Sequence, residues 1–350
     1  MTHERLTCLV PTHNRPHFLR RLFRFYAQFP PGFPFLVVDS SNPAAASENR
    51  EVIESARGSL DIDYRHFAMN FTDKCVEGLG QIRSLFTVFC ADDDLLFPEA
   101  VWRSVEFLGN APGFASAMGR TAMLNVNQPP WWCKVLKGYS IEDDRPFDRC
   151  RRMAREWFSN FYAVHRTATL LDTFQITVAN TDFQESAHLS EGLLSQLSVL
   201  RGRVKVLPQM YSLREQHGAN TGTTIRNQGR PEAERHYLQF RGCLTDQIER
   251  TGIDRADAER FIDEIYGIYR DPNLVQLRRR RSVVEVIRQV FHGISQRAAD
   301  FFWTDRTRHR RLVRAGDLVG CETQWRVASQ LIREFPRGMA AEDSRLKRCA

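Results

Sequence analysis

The chain has 350 residues, of which 42% are hydrophobic and 26% charged, and its formal net charge is +7 at pH 7. This length supplies one large core or two smaller ones, and the composition is typical of a globular protein. No run of about 18 apolar residues is present, which excludes a membrane-spanning helix, and the first residues lack the apolar centre of a signal peptide. We therefore expect a cytoplasmic location. The eight cysteines are scattered without a CxxC pair, which argues against a zinc site or a disulfide framework.

Strand-like and helix-like segments alternate along the first hundred residues. The predicted elements are a strand over 6–12, a loop over 12–16, a helix from 17, a strand over 35–38, a helix over 48–57, a strand over 62–66, a helix over 73–85 and a strand over 86–91. This alternation predicts a parallel α/β sheet. The glycine-rich loops of dinucleotide and P-loop enzymes do not follow the first strand, which disfavours both classes.

The later part of the chain is less regular. Residues 120–165 are predicted to be a long, partly open insertion, followed by a helix over 181–200 and a strand over 204–208. From about residue 231 the pattern is helical, and the whole excess of basic over acidic residues falls in 225–350. We therefore expect two regions, one over 1–224, with halves of about 1–100 and 101–224, and a helical, basic region over 225–350.

Three consecutive aspartates, Asp92, Asp93 and Asp94, follow the apolar run 86–91. Open α/β sheets bind ligands at the carboxyl ends of their strands, and clustered carboxylates favour Mg²⁺, Mn²⁺ or Ca²⁺. The alternative is an acidic start to a helix over 95–100, where carboxylates are also favourable.

Three segments together resemble the GT-A glycosyltransferases, especially the inverting family 2. These are Cys8–Pro16 (CLVPTHNRP), Phe35–Ser41 (FLVVDSS) and Cys90–Asp94 (CADDD) followed by Pro98-Glu99-Ala100. The resemblance implies a Rossmann-like nucleotide-sugar half, a mixed-sheet acceptor half and, here, a helical C-terminal extension. It also implies a nucleotide-diphosphate sugar donor, with UDP-sugar the first guess, a glycan, lipid-linked or protein acceptor, and a divalent cation (Mn²⁺ or Mg²⁺).

The resemblance also implies which residues contact the donor. They are Pro11, Thr12, Asn14, Arg15, Asp39, Asp92 and Asp93 for the nucleotide sugar, with Asp94, Asp92 and His217 for the metal. For Asn14 and Asp39 the alternative is a local side-chain-to-backbone turn bond. For His217 the alternative is a loop histidine without a ligand.

An inverting transfer needs a carboxylate that takes the proton of the acceptor hydroxyl. The resemblance implies Glu191 for this role, since a glycine and a strand follow it at the family's spacing. Glu185 is the second candidate and Asp182 the third, and the alternative is a solvated helix face. Trp131 and Trp132 are weak acceptor candidates because sugars stack on indole rings, although core packing explains them equally well.

The C-terminal region mixes basic and apolar residues. Four consecutive arginines occupy 278–281, an apolar face follows over 283–294, and a second basic run covers 306–311. Peripheral contact with an anionic membrane is one interpretation, and a solvated basic helix face is the other. No recognised nucleic-acid motif is present, so no nucleic-acid partner is expected. The competing function class is a basic nucleic-acid-binding or membrane-surface scaffold with a non-catalytic α/β domain.

Overall fold

The computed structural model describes residues 5–126, 132–136, 138–217, 229–271, 313 and 318–334. The strands there are β1 (Leu6–Thr12), β2 (Phe35–Asp39), β3 (Ile62–His66), β4 (Phe86–Phe89), β5 (Leu95–Leu96), β6 (Phe114–Asn125), β7 (Trp132–Val135), β8 (Val164–Arg166) and β9 (Arg203–Gln216). The helices are α1 (Pro16–Gln28), α2 (Pro43–Ala56), α3 (Phe71–Gln81), α4 (Pro98–Asn110), α5 (Pro146–Arg155), α6 (Thr167–Asn180), α7 (Phe183–Arg201), α8 (Arg230–Glu249), α9 (Arg255–Tyr266) and α10 (Glu322–Glu334), with a 3-10 turn at Gly267–Arg270. None of these helices combines the length and apolarity needed to cross a membrane.

One mixed sheet organises the chain. Its strands follow the order β3-β2-β1-β4-β8-β6-β9-β5, and β7 pairs with β6. The first four strands in this order are parallel, whereas β8 joins β4 and β6 in antiparallel fashion. The predicted parallel α/β sheet over the first hundred residues is therefore confirmed.

The parallel strands are covered on both faces, which explains why their sequences are continuously apolar. In β1, Cys8 and Val10 belong to the apolar cluster beneath α1, while Leu9 belongs to the cluster beneath α3. Gly78 allows α3 to approach the sheet closely, since a Cβ there would lie 2.7 Å from Cγ1 of Val38. Each fully buried leucine or phenylalanine in these clusters contributes roughly 1.5–3 kcal/mol to folding.

The insertion predicted over 120–165 is more ordered than expected. Residues up to Asn125 continue β6, which starts at Phe114, and the three-residue strand β8 lies in the middle of the sheet between β4 and β6. A strand of three residues is too short to carry a periodic signal. The prediction of a long, partly open insertion was therefore wrong over these stretches.

The last predicted strand is longer than its sequence suggested. Strand β9 continues past Pro208 to Gln216, although the prediction ended it at Pro208. The pairing of β9 with β6 shifts register between Met118 and Arg120, which are opposite Val206 and Met210. Proline is tolerated at such an irregularity because its missing N–H is not needed for the ladder.

The pairing of β5 with β9 determines what surrounds the aspartates. Leu95 is opposite Leu213, and Leu96 is opposite Ser212. The residues that end β9 are thereby brought beside the residues that precede β5. The helix predicted to start at Leu95 begins instead at Pro98, so the interpretation of the triplet as an acidic helix start was wrong.

Helices α8 and α9 follow the sheet. Their residues Tyr237, Phe240 and Ile262 belong to the same apolar cluster as Cys8 of β1. The predicted domain boundary at residues 224 and 225, the basic run 278–281, the apolar face 283–294 and the second basic run 306–311 lie outside the described residues.

Candidate active site

The carboxyl ends of β1, β2 and β4 meet at one edge of the sheet. The hydroxyl of Thr12, the last residue of β1, donates to Oδ2 of Asp92 over 2.7 Å. The two loops after β1 and β2 are joined by the backbone N–H of Asn14, which donates to Oγ of Ser41 over 2.7 Å, and by the N–H of Asn42, which donates to Oδ1 of Asn14 over 2.9 Å. Asn14 has a φ of 54°, a left-handed conformation that asparagine tolerates better than most residues.

Asp39 is fully buried and its carboxylate is already occupied within the protein. Oδ1 accepts from the N–H of Ser41 over 2.7 Å, and Oδ2 accepts from Asn49 over 2.9 Å and from the Tyr64 hydroxyl over 2.7 Å. Burial alone would raise the pKa of Asp39, but these hydrogen bonds lower it, so the group is ionised at neutral pH. The local turn bond is thus present for Asp39, whereas the Asn14 side chain accepts from Asn42 in the neighbouring loop. The contact of both residues with a nucleotide stays a prediction.

A buried lysine that the sequence reasoning missed supports the same edge. Nζ of Lys74, on α3, donates to the carbonyl of Thr12 over 2.6 Å and to Oγ of Ser40 over 2.8 Å. Its side chain is only 1% exposed, and burial lowers its pKa, while Asp92 and Asp39 oppose that effect. Lys74 therefore links β1 and β2 and places a positive charge behind the carboxylates.

The aspartate triplet is buried, and each carboxylate has different partners. Asp92 accepts from Thr12 and forms an ion pair with Arg15 at 3.1 Å. Asp93 also pairs with Arg15 at 3.1 Å, and its Oδ2 lies 2.8 Å from Nε2 of His217. Since Arg15 comes from the loop after β1, its guanidinium bridges two neighbouring carboxylates and offsets their repulsion.

Asp94 faces the end of β9. Its Oδ2 accepts from Nε of Arg214 over 2.9 Å, and its Oδ1 from the N–H of Glu215 over 3.3 Å. Burial raises the pKa of Asp94 to about 7, against the opposing effect of Arg214. For Asp93, burial acts in the same upward direction, but Arg15 and His217 outweigh it and hold its pKa well below the usual range. Adjacent carboxylates thus differ in their tendency to ionise.

A buried ion pair lies behind the triplet. Arg21 of α1 pairs with Glu215 of β9 and donates to the carbonyl of Asp93 over 2.7 Å. The Arg21 and Glu215 side chains are only 2% and 6% exposed. Loss of one partner would leave a buried charge uncompensated, which is strongly destabilising. The sequence analysis did not select this pair. The signal that could have indicated it is Arg21, a basic residue on the otherwise apolar face of α1.

The charge of Glu191 interacts with Arg214 and Tyr162, whereas Glu185 pairs with residues of α8. Burial raises the pKa of Glu191, and Arg214 opposes this effect. The Glu185 carboxylate is 53% exposed and pairs with Arg235 and His236 of α8, at 3.2 and 2.8 Å. A non-helical residue, Ser186 (φ −137°), interrupts α7 between the two glutamates, so they do not share one continuous helix face.

Arg214 interacts electrostatically with both Glu191 and the aspartate triplet. Its Nη2 donates to the Tyr162 hydroxyl over 3.1 Å, and its guanidinium lies 4.1 Å from the centre of the Tyr162 ring. Burial lowers the pKa of Arg214, but Tyr162, Asp94 and Glu191 together raise it. Neither Arg214 nor Tyr162 was selected from the sequence, because their isolated positions carry no motif.

The remaining predicted residues are described in part. Pro11 and Thr12 end β1, opposite Val38 and Asp39 of β2. Trp132 begins β7 opposite Asn125, and Trp131 lies outside the described residues. Their contact with an acceptor stays a prediction.

The donor set at Asp93 and His217 suits a divalent cation. In the part of the chain that the structure describes, no three His, Cys, Asp or Glu side chains converge as metal ligands. One carboxylate and one imidazole with adjacent donor atoms do converge, and Mg²⁺ and similar ions are commonly held by one or two protein ligands together with substrate phosphates. Asp93 and His217 could therefore hold a cation whose remaining coordination positions would be filled by phosphate oxygens of a bound substrate.

Comparison with solved structures identifies proteins with the same fold. The crystal structure of S. aureus TarS 1-349 in complex with UDP-GlcNAc matches with a TM-score of 0.52 and 16% identity, over 75% of this chain and 71% of that chain. TarS 1-349 alone matches with a TM-score of 0.51 and 16% identity, over 75% of this chain and 70% of that one. A further structure of S. aureus TarS matches with a TM-score of 0.50 and 16% identity. The match covers 75% of this chain and 42% of that one.

No family model and no curated protein matches the chain. The predicted GT-A-like α/β fold is confirmed by the shared architecture with the TarS structures. An identity of 16% is evidence for a common fold alone.

Proposed function

We propose that the chain is a glycosyltransferase that moves a sugar from a nucleotide-diphosphate donor, UDP-sugar first, to a glycan, lipid-linked or protein acceptor, with inversion at the anomeric carbon. The observation that carries the proposal is the cluster of Asp93, His217 and Arg15 at the carboxyl edge of the sheet. The charge of Glu191 acts on Arg214, which pairs with the adjacent Asp94. TarS, which has the same fold, was solved with the nucleotide sugar UDP-GlcNAc.

The cluster has the charges that a diphosphate leaving group requires. The leaving oxygen gains negative charge as the bond between the sugar and the phosphate breaks, and fixed cations that face it lower the barrier. Arg15 reaches Asp92 and Asp93 from the loop after β1, and its planar guanidinium suits two-pronged contact with phosphate oxygens.

Asp93 and His217 would hold the divalent cation. When bound, such an ion stabilises negative charge on phosphate oxygens as a Lewis acid. The resemblance implied Asp94, Asp92 and His217 as the metal ligands. The contacts favour Asp93 with His217, because Oδ2 of Asp93 lies 2.8 Å from Nε2 of His217, whereas Asp94 faces Arg214. Arg15 pairs with both Asp92 and Asp93 and therefore does not distinguish them.

Glu191 is the proposed base. Its carboxylate takes the proton of the acceptor hydroxyl while that oxygen attacks the anomeric carbon from the face opposite the diphosphate. The bond from the anomeric carbon to the phosphate oxygen breaks, and the nucleoside diphosphate leaves with its electron pair. A carboxylate whose pKa is raised by burial is a better proton acceptor at neutral pH than an ordinary glutamate.

Thermal melting of the whole chain with UDP-, GDP- and dTDP-sugars, each with Mn²⁺ or with EDTA, tests the proposal. At 100 Kd of free ligand, one donor is expected to stabilise the fold by about 2.7 kcal/mol. Release of free sugar from that donor by slow hydrolysis gives a second readout. Absence of both effects for every donor would contradict the proposal.

The same assays separate this function from the scaffold alternative. A scaffold that binds nucleic acid would bind generic DNA or RNA with strong salt dependence and leave nucleotide sugars intact. A membrane scaffold would sediment with anionic vesicles at low salt, be released at high salt, and likewise leave nucleotide sugars intact. Peripheral membrane contact of the C-terminal region remains part of the proposal for the enzyme, and vesicles test it independently.

A further inference from the structure

A cavity of about 40 Å³ lies between β6, β9 and the segment before β8. Its wall includes Tyr162 and Arg214, two residues on whose pKa the charge of the proposed base Glu191 acts. Its polar lining consists of Arg120, Thr121, Ser159, Tyr162 and Arg214. A single water needs roughly 10–15 Å³, so the space admits a few waters or one compact polar group and excludes a whole sugar ring.

The charged side chains of the wall are both basic. Among the described residues, two arginines and no aspartate or glutamate line the cavity, and Arg214 is also paired with Asp94 behind the wall. A recess lined by charges of one sign and by low-dielectric side chains concentrates the field and attracts the opposite charge. The apolar side chains of the wall come from Met118, Leu136, Phe158 and Val206.

Arg214 is held in a fixed orientation at this wall. Its Nε is bound to Asp94, Nη2 donates to the Tyr162 hydroxyl, and the guanidinium plane stacks on the Tyr162 ring. The side chain is still 23% exposed. An arginine fixed in this way loses little entropy when it binds an oxyanion with its remaining donors.

Arg120 reaches the cavity from a point where the sheet is irregular. The register of β6 against β9 shifts on either side of Arg120, and Gly119 at this shift lies against the carbonyl of Gln209. Such irregularities re-aim a side chain relative to the regular alternation of a strand. Here the irregularity brings a second arginine, exposed to solvent, to the cavity lined by Arg214.

We propose that this cavity binds a compact oxyanion, a carboxylate or a phosphate, on the acceptor, so that the enzyme glycosylates anionic acceptors. This inference depends on the proposed function, because the oxyanion would hold the acceptor of the transfer reaction near its proposed base, Glu191. Arg120 and Arg214 are the specificity-determining residues, and the small volume limits the anchor to the charged group itself.

Matched sugars test the inference on the full chain in the presence of UDP and Mn²⁺. Calorimetric titration would compare methyl β-D-glucuronide and methyl β-D-glucoside 6-phosphate with neutral methyl β-D-glucoside. We expect at least one anionic sugar to bind about tenfold more tightly or better, and the two anionic arms distinguish carboxylate from phosphate. Equal affinity for all three sugars would overturn the inference.

Variants test whether the preference for anionic sugars arises at the cavity. Arg120→Gln is expected to remove most of the anionic preference, Arg120→Lys to retain part of it, and Arg103→Gln, an exposed arginine on α4, to leave it unchanged. If Arg120→Gln and Arg103→Gln behave alike while both melt as the parent does, the cavity is not the site. If Arg120→Gln fails to fold, Arg120→Lys still decides. A partial loss of the preference for anionic sugars supports the cavity. A preference equal to that of the parent, together with a lost preference in Arg214→Lys, excludes Arg120.

The two proposals fail in distinguishable ways. Binding of a nucleotide sugar without any anionic preference overturns the acceptor class and leaves the glycosyltransferase standing. Anion binding that depends on Arg120, with no binding or hydrolysis of any nucleotide sugar, overturns the glycosyltransferase and retains the oxyanion site.

Discussion

Nε2 of His217 lies 2.8 Å from Oδ2 of Asp93, although 124 residues separate them along the chain. The contact exists because β5, directly after the triplet, pairs in antiparallel fashion with β9, directly before His217. Both side chains are 7% exposed, so the pair is withdrawn from bulk solvent but lies at the edge where strands β1 and β4 end. Its position makes it the most direct test of the proposed cation.

Replacement of His217 by alanine is expected to weaken metal-dependent donor binding. Loss of one of two protein ligands should raise the Kd of the stabilising nucleotide sugar in Mn²⁺ by about tenfold or more, which is about 1.4 kcal/mol. Isothermal titration measures this change. In EDTA the parent and His217→Ala should bind the donor equally, and an equal Kd in Mn²⁺ would remove His217 from the metal site.

Replacement of Glu191 by glutamine is expected to stop transfer while donor binding persists. Glutamine keeps the size of the side chain but accepts no proton, so the rate should fall by roughly 10²–10⁴-fold. Product formation with the identified donor measures the effect, and the donor-induced melting shift verifies the binding site. The matched variant Glu185→Gln alters an exposed carboxylate paired with α8 and should keep nearly full activity. The opposite ranking would assign the base to Glu185.

The contribution of His165 to the free energy of unfolding should be lost as the pH falls from about 6.5 to about 4. In this window Asp94, whose pKa burial raises to about 7, acts in the opposite direction. His165 of β8 is 3% exposed, and burial lowers its pKa from 6.5 to about 4 while its ring bonds to the carbonyl of Asn160. The unfolded chain therefore takes up a proton first, so this stabilisation is complete above pH 6.5 and is lost as the pH falls toward 4. The shift corresponds to about 3 kcal/mol at most.

Urea unfolding at several pH values measures this loss. His165→Gln cannot titrate, so the free energy of unfolding of the parent should fall relative to that of His165→Gln as the pH falls through this window. Identical slopes for the parent and His165→Gln would assign the pH dependence to other groups.

Alanine at position 119 is expected to destabilise the protein. A Cβ there would lie 2.5 Å from the carbonyl oxygen of Gln209 and 2.9 Å from Cβ of Tyr211, so the backbone of β9 would have to shift. Overpacking of this kind costs roughly 1–3 kcal/mol. Gly242→Ala, in the interior of α8 with no neighbour within 4 Å, should instead stabilise by roughly 0.5–1 kcal/mol. Denaturant unfolding distinguishes the two, and equal effects would contradict the close approach at Gly119.

The sequence by itself determined the parallel half of the sheet and the position of the triplet after β4. Buried parallel strands are continuously apolar and their loops carry turn residues, so local patterns are sufficient there. The same patterns misplaced the start of α4 and the end of β9, because Leu95-Leu96 is too short for a periodic signal and Pro208 is tolerated at a register shift. Whether such short segments form or extend a strand depends on the partner strand with which they pair.

Only the tertiary structure decided which charges meet. The pairings of Asp93 with His217, Asp94 with Arg214 and Glu215 with Arg21 each join residues that no local pattern connects. They follow from one antiparallel contact between β5 and β9 and from the cover that α1 provides, which are non-local events. Buried carboxylates require compensating positive charges. Which arginine or histidine side chain is close enough to supply that charge depends on how the strands pair, and local sequence patterns do not predict that pairing.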